Sequence, residues 1–259
     1  MAYFKWASAR LSGRAKRLSE NPVAAHPYAR PGGHGDALPT TTTMNRLRRY
    51  LPEPVAAIGL ALAFVLFALT FRGPRAQFWQ RMTGTGLALG TFALAAEPGL
   101  RRTRFSLRDV LLGLGSAGIL YGVFQIGDRM ARLILPKGSA EIDAIYGLET
   151  LRPRRELAAR LALIIGPAEE LFWRGLVQAR LMRQFGPLPG YVLGTVAYGG
   201  AHLVTGNLTL IAAATVAGAF WGSLSAVGAP MGVLIVSHAV WDVFTFLIVP
   251  TAGKVIRDW

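Results

Sequence analysis

One stretch of the chain constrains its fold more than any other: from Gln184 to Trp241, 58 consecutive residues contain no Asp, Glu, Lys or Arg. Apart from tyrosine, the ionisable side chains in this stretch are His202 and His238. About 20 apolar helical residues cross the hydrocarbon core of a bilayer, whereas a soluble domain needs charged residues on its surface. The stretch therefore indicates an integral membrane protein.

Further apolar blocks precede this stretch, and 52% of the whole chain is hydrophobic while only 16% is charged. We expect an all-α, polytopic transmembrane bundle of about seven helices, with a range of six to eight. The predicted spans are 54–71, 82–97, 109–127, 156–183, 188–205, 207–228 and 230–250, with a short amphipathic piece at 129–150. Residues 128–136 are compatible with an interfacial or re-entrant turn.

The first 49 residues differ from the rest, because they hold nine basic and two acidic residues and no apolar block long enough to insert. This composition predicts a disordered basic tail at 1–49 and a polytopic membrane domain at 50–259. Met44, followed by Asn-Arg-Leu-Arg-Arg, resembles a natural start, so we expect function not to depend on residues 1–43.

The charge balance points to membrane lipids as partners and not to nucleic acid. There are 28 basic and 14 acidic residues, and the basic excess lies between and around the apolar blocks, where anionic headgroups would be. Arginines before the first span favour a cytoplasmic amino terminus, although others after it do not agree. The bias toward arginine, alanine and glycine suggests a bacterial cytoplasmic membrane. Cysteine is absent, which excludes disulfides, thiolate zinc ligands and a cysteine nucleophile.

A few ionisable residues fall inside the late predicted helices, where a charge at the bilayer centre costs about 2.5–3.5 kcal/mol. Such residues usually line a cavity, pair with one another or perform chemistry. At 1.5 Å per residue, Glu169 and His202 lie about 21 Å from the same membrane face, His238 about 12 Å and Asp242 about 18 Å. We therefore expect these four side chains to converge in one pocket.

Helical spacing also predicts pairs, since residues four apart share a helix face. These pairs are Glu170 with Arg174, Tyr198 with His202, and His238 with Asp242. Glu169 is rotated by about 100° from Glu170 and stays free of the pair with Arg174.

Three motifs carry a family resemblance: Glu169-Glu170-Leu-Phe-Trp-Arg174, Tyr198-Gly-Gly-Ala-His202 and His238-Ala-Val-Trp-Asp242. In order and spacing they resemble the motifs of the CAAX-protease and bacteriocin-processing (CPBP, Abi-type) intramembrane proteases, over roughly residues 150–250. Tyr198 stands where phenylalanine is usual in that family, and Asp242 where prenyl-protein proteases often have asparagine.

The resemblance implies an intramembrane endopeptidase that hydrolyses a peptide bond of a membrane-associated protein or peptide. Glu169 would act as the base on a water molecule that His202 helps to orient, because a buried carboxylate is a stronger base than an exposed one. His238 and Asp242 would lie on the oxyanion side, where negative charge develops.

Three further residues receive supporting roles from the resemblance: Glu170, Arg174 and Tyr198. The first two would hold the helix and the site in register, or form only an intrahelical salt bridge that lowers the cost of insertion. For Tyr198 the alternative to a supporting role is simple aromatic packing.

Other functions stay open. Glu169, His202 and His238 could bind zinc, although no His-Glu-x-x-His motif is present, so the cofactor is either none or zinc. A proton- or ion-coupled transporter would use similar buried residues, but repeated halves would be expected and the polar residues lie only in the second half. A non-catalytic immunity or scaffold relative is the third alternative.

Overall fold

The computed structural model describes residues 52–249, and in this range the chain is helical and contains no β-strand. Apart from short 3₁₀ turns, the helices are α1 Pro54–Phe71, α2 Phe78–Ala96, α3 Leu107–Ile134, α4 Gly138–Tyr146, α5 154–185, α6 Pro187–Gly200, α7 Leu208–Ala226 and α8 Met231–Ile248. The predicted all-α fold is confirmed over these residues. The basic tail predicted at 1–49 lies outside them.

Four of the described helices, α1, α3, α7 and α8, are long and apolar enough to cross a membrane. Large apolar side chains such as Ile58, Leu111 and Ile119 are exposed on them, as contact with lipid chains requires. The chain is therefore an integral membrane protein. The predicted spans at 82–97, 156–183 and 188–205 are helical for most of their length but are not among the four helices that combine sufficient length with sufficient apolarity. The total of seven spans stays a prediction.

Two predicted boundaries were wrong. Residues 128–134 do not form a turn but continue α3, which ends before Leu135 because Pro136 disfavours helical backbone at the residue before it. The span predicted to reach residue 205 ends instead at Gly200, so His202 lies in the turn after α6.

The ends of the first helices are fixed by local capping and by ion pairs. At the start of α1 the Glu53 carboxylate accepts hydrogen bonds from the backbone N–H groups of Val55 and Ala56, at 3.0 and 3.1 Å. Arg180, near the end of α5, forms ion pairs with both Glu53 and Glu97. The start of α1, the end of α2 and the end of α5 therefore lie on the same side of the bundle.

Helix α5 lies at the centre of the bundle and contacts α2, α6 and α8. Small residues permit these contacts: a Cβ atom at Gly166 would lie 3.3 Å from the backbone of Ala239 in α8. Close approach of this kind is a common way to pack helices in membranes, where apolar surface alone does not drive association. It brings the acidic residues of α5 next to the histidine of α8.

Candidate active site

Helix α5 departs from regular α-helical geometry on both sides of its two glutamates. The segment Gly166–Glu170 is α-helical, whereas Leu161–Ile165 before it and Leu171–Gln178 after it are π-helical. Pro167 has no N–H group to give to the preceding turn, which favours a break in the regular pattern there. π-Helical turns often occur at functional sites.

The two glutamates have different surroundings. Glu169 is 5% exposed and lines a cavity, and the Tyr198 hydroxyl donates a hydrogen bond to its Oε2 atom at 2.7 Å. Glu170 is fully buried and is not part of the cavity lining. The predicted separation of the two carboxylates is therefore present in the structure.

Glu170 holds two partners through one oxygen atom. Its Oε1 accepts hydrogen bonds from Arg174 Nη1 at 2.9 Å and from His238 Nδ1 at 2.7 Å. The first contact is the predicted pair on α5. The second joins α5 to α8 and was not predicted. Arg174 is also buried, and its guanidinium lies over the Tyr198 ring at 4.6 Å from the ring centroid.

His238 is fixed from three sides. Its ring stacks on Trp221 with the centroids 3.8 Å apart and the planes inclined by 18°. Its Nδ1 atom contacts Glu170, and its Nε2 atom lies 3.7 Å from Asp242 Oδ2, which is too long for a hydrogen bond. The predicted pairing of His238 with Asp242 is therefore only a near contact, and Glu170 provides the hydrogen bond that orients the ring.

His202 lies beyond the end of α6, where its Nδ1 atom is 3.0 Å from the Tyr198 carbonyl oxygen. The Nδ1–H group donates this bond, so in the neutral ring Nε2 is an acceptor. The ring packs edge-on against Phe67 at 5.2 Å between centroids. His202 is buried and lines the same cavity as Glu169.

The cavity has a volume of about 330 Å³, and its lining includes all four residues that were predicted to converge: Glu169, His202, His238 and Asp242. Most of its wall is apolar. Helix α7 contributes small side chains, and α4 with the segment after it contributes larger ones. These residues are Ala212, Ala213, Ala214, Ala217, Ile142, Ile145 and Leu148.

Within residues 52–249, no group of three His, Asp or Glu side chains is arranged so that it could hold a metal ion. The set proposed for zinc, Glu169, His202 and His238, lines one cavity but is not gathered as ligands around a common point. The arrangement thus provides a carboxylate, two imidazoles and a second carboxyl group in apolar surroundings, which suits proton transfer.

Two contacts of α7 with site residues were not predicted from the sequence. Trp221 supports the ring of His238, and its indole N–H donates to Ser237 Oγ at 3.0 Å. Gly218 lies against the Tyr198 ring, so that a Cβ atom there would be only 2.9 Å from it. Neither contact has a sequence signal of its own, because each depends on how α7 is rotated against its neighbours.

In the comparison with protein families, residues 156–244 match the family described as Rce1-like, type II CAAX prenyl endopeptidase. The matched segment contains all three motifs, with Glu169, His202, His238 and Asp242 among their residues, and it confirms the resemblance seen in them. No curated protein and no solved structure matches the chain. The match supports a CAAX-type intramembrane protease in general, acting on a membrane-associated protein.

Proposed function

We propose, from the similarity of residues 156–244 to type II CAAX prenyl endopeptidases, that this chain is an intramembrane endopeptidase with a water molecule as nucleophile. The observation that carries the proposal is one apolar cavity lined by Glu169, His202, His238 and Asp242. The substrate is a membrane-associated protein or peptide whose scissile bond enters this cavity.

Glu169 is the general base. The Tyr198 hydroxyl bonds to Oε2 of its carboxylate, which fixes the group and leaves Oε1 for a water molecule. His202 presents Nε2 as an acceptor, because its Nδ1–H group donates to the Tyr198 carbonyl. Glu169 takes one proton from the water as the water oxygen attacks the carbonyl carbon. The C–N bond of the resulting tetrahedral intermediate then breaks, and the proton passes from Glu169 to the leaving amine nitrogen.

His238 and Asp242 stabilise the oxyanion. Because Nδ1–H of His238 donates to Glu170, donation from Nε2 toward the substrate requires a second proton on the ring. Asp242 contributes either by holding that imidazolium from 3.7 Å or, in its protonated form, by donating directly. Glu170 and Arg174 lie behind the cavity wall and act by positioning His238.

The chemistry proposed here needs no metal. A zinc-dependent mechanism would use Glu169, His202 and His238, and it would require these side chains to move, because they are not gathered as ligands. Incubation with a chelator separates the two mechanisms. Loss of activity that zinc restores would contradict the metal-free mechanism, and unchanged activity supports it.

The setting is an anionic bilayer. The chain has 28 basic and 14 acidic residues, which favours contact with acidic headgroups, and the arginine, alanine and glycine bias favours a bacterial cytoplasmic membrane.

The purified full chain in proteoliposomes, incubated with a proteome-derived library of membrane peptides, tests the proposal. Mass spectrometry should find new peptide termini with the wild type and not with Glu169→Gln. The matched control is Glu156→Gln, which removes a carboxylate from the same helix where it pairs with Arg160 away from the cavity. Equal cleavage by Glu169→Gln, or none by the wild type, would overturn the proposal. Ion flux without cleavage would favour a transporter.

A further inference from the structure

Two buried polar groups of α8 have no hydrogen-bond partner among the described residues, and both residues line the cavity. They are the indole N–H of Trp241 and the hydroxyl of Thr245. Trp241 is 8% exposed and Thr245 is 1% exposed. Leaving such a group unbonded costs about 1–3 kcal/mol, so a working site is expected to supply a partner.

The position of these groups relates them to the chemistry. Residues 238, 241, 242 and 245 follow the three- and four-residue spacing that places side chains on one helix face. Trp241 and Thr245 therefore extend the face that carries His238 and Asp242. The helix is π-helical from Phe244 onward, and Thr245 does not form the bond to the preceding turn that many helical threonines make.

The spacing suits a peptide main chain. Trp241 and Thr245 lie about one helical turn apart, which is an advance of about 5–6 Å along the helix axis. In an extended peptide, carbonyl groups two residues apart point to the same side and are about 6.6–6.8 Å apart. Both groups on α8 are uncharged donors, and an uncharged carbonyl oxygen is their natural acceptor.

We propose that Trp241 Nε1–H and the Thr245 hydroxyl form a subsite that binds two main-chain carbonyl groups of an extended substrate, beside its scissile bond. This inference rests on the proposed function. The inference specifies that the bound substrate is extended, and it names two residues that bind the substrate. Because the contacts are to the main chain, the subsite accepts many side-chain sequences and sets the register of cleavage.

The test uses the best-cleaved peptide of the library and four variants. Thr245→Val removes the hydroxyl at nearly constant shape, and Trp241→Phe removes the indole N–H. Each should raise KM by about 3- to 10-fold with kcat within about two-fold, because the lost hydrogen bonds act on binding. Thr245→Ser keeps a hydroxyl and should restore KM. Thr195→Val is the matched control, since its hydroxyl is also buried and unbonded but lies away from the cavity.

A second measurement identifies the partner. Peptides in which one amide at a time is replaced by an alkene lose the carbonyl acceptor at that position. At one position the replacement should raise KM for the wild type and have no further effect on Thr245→Val. The subsite would be overturned if Thr245→Val and Thr195→Val had the same KM. It would also be overturned if Thr245→Val and Thr245→Ser both lowered protein abundance. Absence of cleavage by the wild type would overturn the proposed function, and the subsite with it.

Discussion

The Nδ1 atom of His238 lies 2.7 Å from Oε1 of Glu170, across the contact between α8 and α5. Glu170 is fully buried and also binds Arg174, so a single carboxylate oxygen holds a guanidinium and an imidazole together. His238 lines the cavity, whereas Glu170 and Arg174 do not. The consequence is a division between residues that face the substrate and residues that hold them in place.

Loss of either positioning residue should lower protein abundance. Glu170→Gln and Arg174→Ala each leave the other group of the buried ion pair without its charge partner, which typically costs about 3–5 kcal/mol. Quantitative immunoblotting of membranes and thermal unfolding in detergent check this, with Glu156→Gln as the control for a partly exposed ion pair. A well-expressed and inactive Glu170→Gln protein, together with a poorly expressed Glu169→Gln protein, would exchange the roles of the two glutamates.

Changes to the residues that face the cavity should have the opposite signature. Glu169→Gln and His202→Ala should each lower kcat by at least about 100-fold, because general-base catalysis contributes roughly 10²–10⁴. Abundance should stay near that of the wild type, since neither residue holds a buried ion pair. The measurement is peptide cleavage at matched protein concentration. Retained turnover in Glu169→Gln would remove this carboxylate from the reaction.

Tyr198 makes a contact that the phenylalanine usual in the similar family could not make, because its hydroxyl donates to Glu169. Tyr198→Phe should keep the ring and its packing and lose only this bond. We expect kcat to fall by about 3- to 10-fold, since one oriented hydrogen bond to the base is lost. Tyr191→Phe is the matched control, because its hydroxyl bonds to the Ala219 carbonyl outside the cavity. Equal kcat in the two variants would assign Tyr198 a packing role only.

Asp242 should tolerate an amide better than an apolar group. An ionised carboxylate cannot donate a hydrogen bond, so Asp242 either holds the His238 ring or donates in its protonated form. Asn can partly replace both roles, and Asp242→Asn should retain measurable cleavage while Asp242→Ala loses nearly all of it. Wild-type rates for both would take Asp242 out of the site. An inactive but abundant Asn variant would favour a role that needs the charge, such as metal ligation.

The contact between α4 and α7 should make stability depend on pH. Glu141 accepts hydrogen bonds from the hydroxyl and the backbone N–H of Thr209, at 2.7 and 2.8 Å, and these bonds lower the pKa of its carboxyl. The folded-state pKa lies below the unfolded one, so the stabilisation is present above the unfolded value and is lost as pH falls through the folded value.

Glu141→Gln should therefore lower the free energy of unfolding by about 1 kcal/mol at neutral pH and have less effect in acid, as expected for the loss of a helix cap. Thermal unfolding as a function of pH measures this. Asp143→Asn controls for the removal of a carboxylate from the same helix, because the Asp143 side chain is 63% exposed. An equal difference between wild type and Glu141→Gln at all pH values would contradict the role assigned to the charge.

The sequence alone predicts the helical membrane fold, because long apolar blocks have few other solutions. It also predicts that Glu169, His202, His238 and Asp242 line one cavity, since helical rise and alternating direction are enough to compare depths. The catalytic roles stay predictions.

The details that decide side-chain partners were not predictable. The bond from His238 to Glu170 depends on the rotation of α8 against α5, and residue spacing along one helix carries no information about a second. The π-helical turns change that rotation within α5. The position of His202 beyond its helix follows from the end of α6 at Gly200, within an apolar block that gives no boundary signal.

The alanines that α7 contributes to the cavity are positions where a substitution would change the shape of the cavity. Ala212, Ala213 and Ala217 supply space and no functional group, so a larger side chain at any of them would reshape the cavity and leave the carboxylates and imidazoles of the other helices unchanged. Under the proposed function, these alanines of α7 set part of the space available to a substrate, while the proposed catalytic groups belong to α5, α8 and the turn after α6. A single substitution at one of these alanines would then change the volume open to a substrate without adding charge.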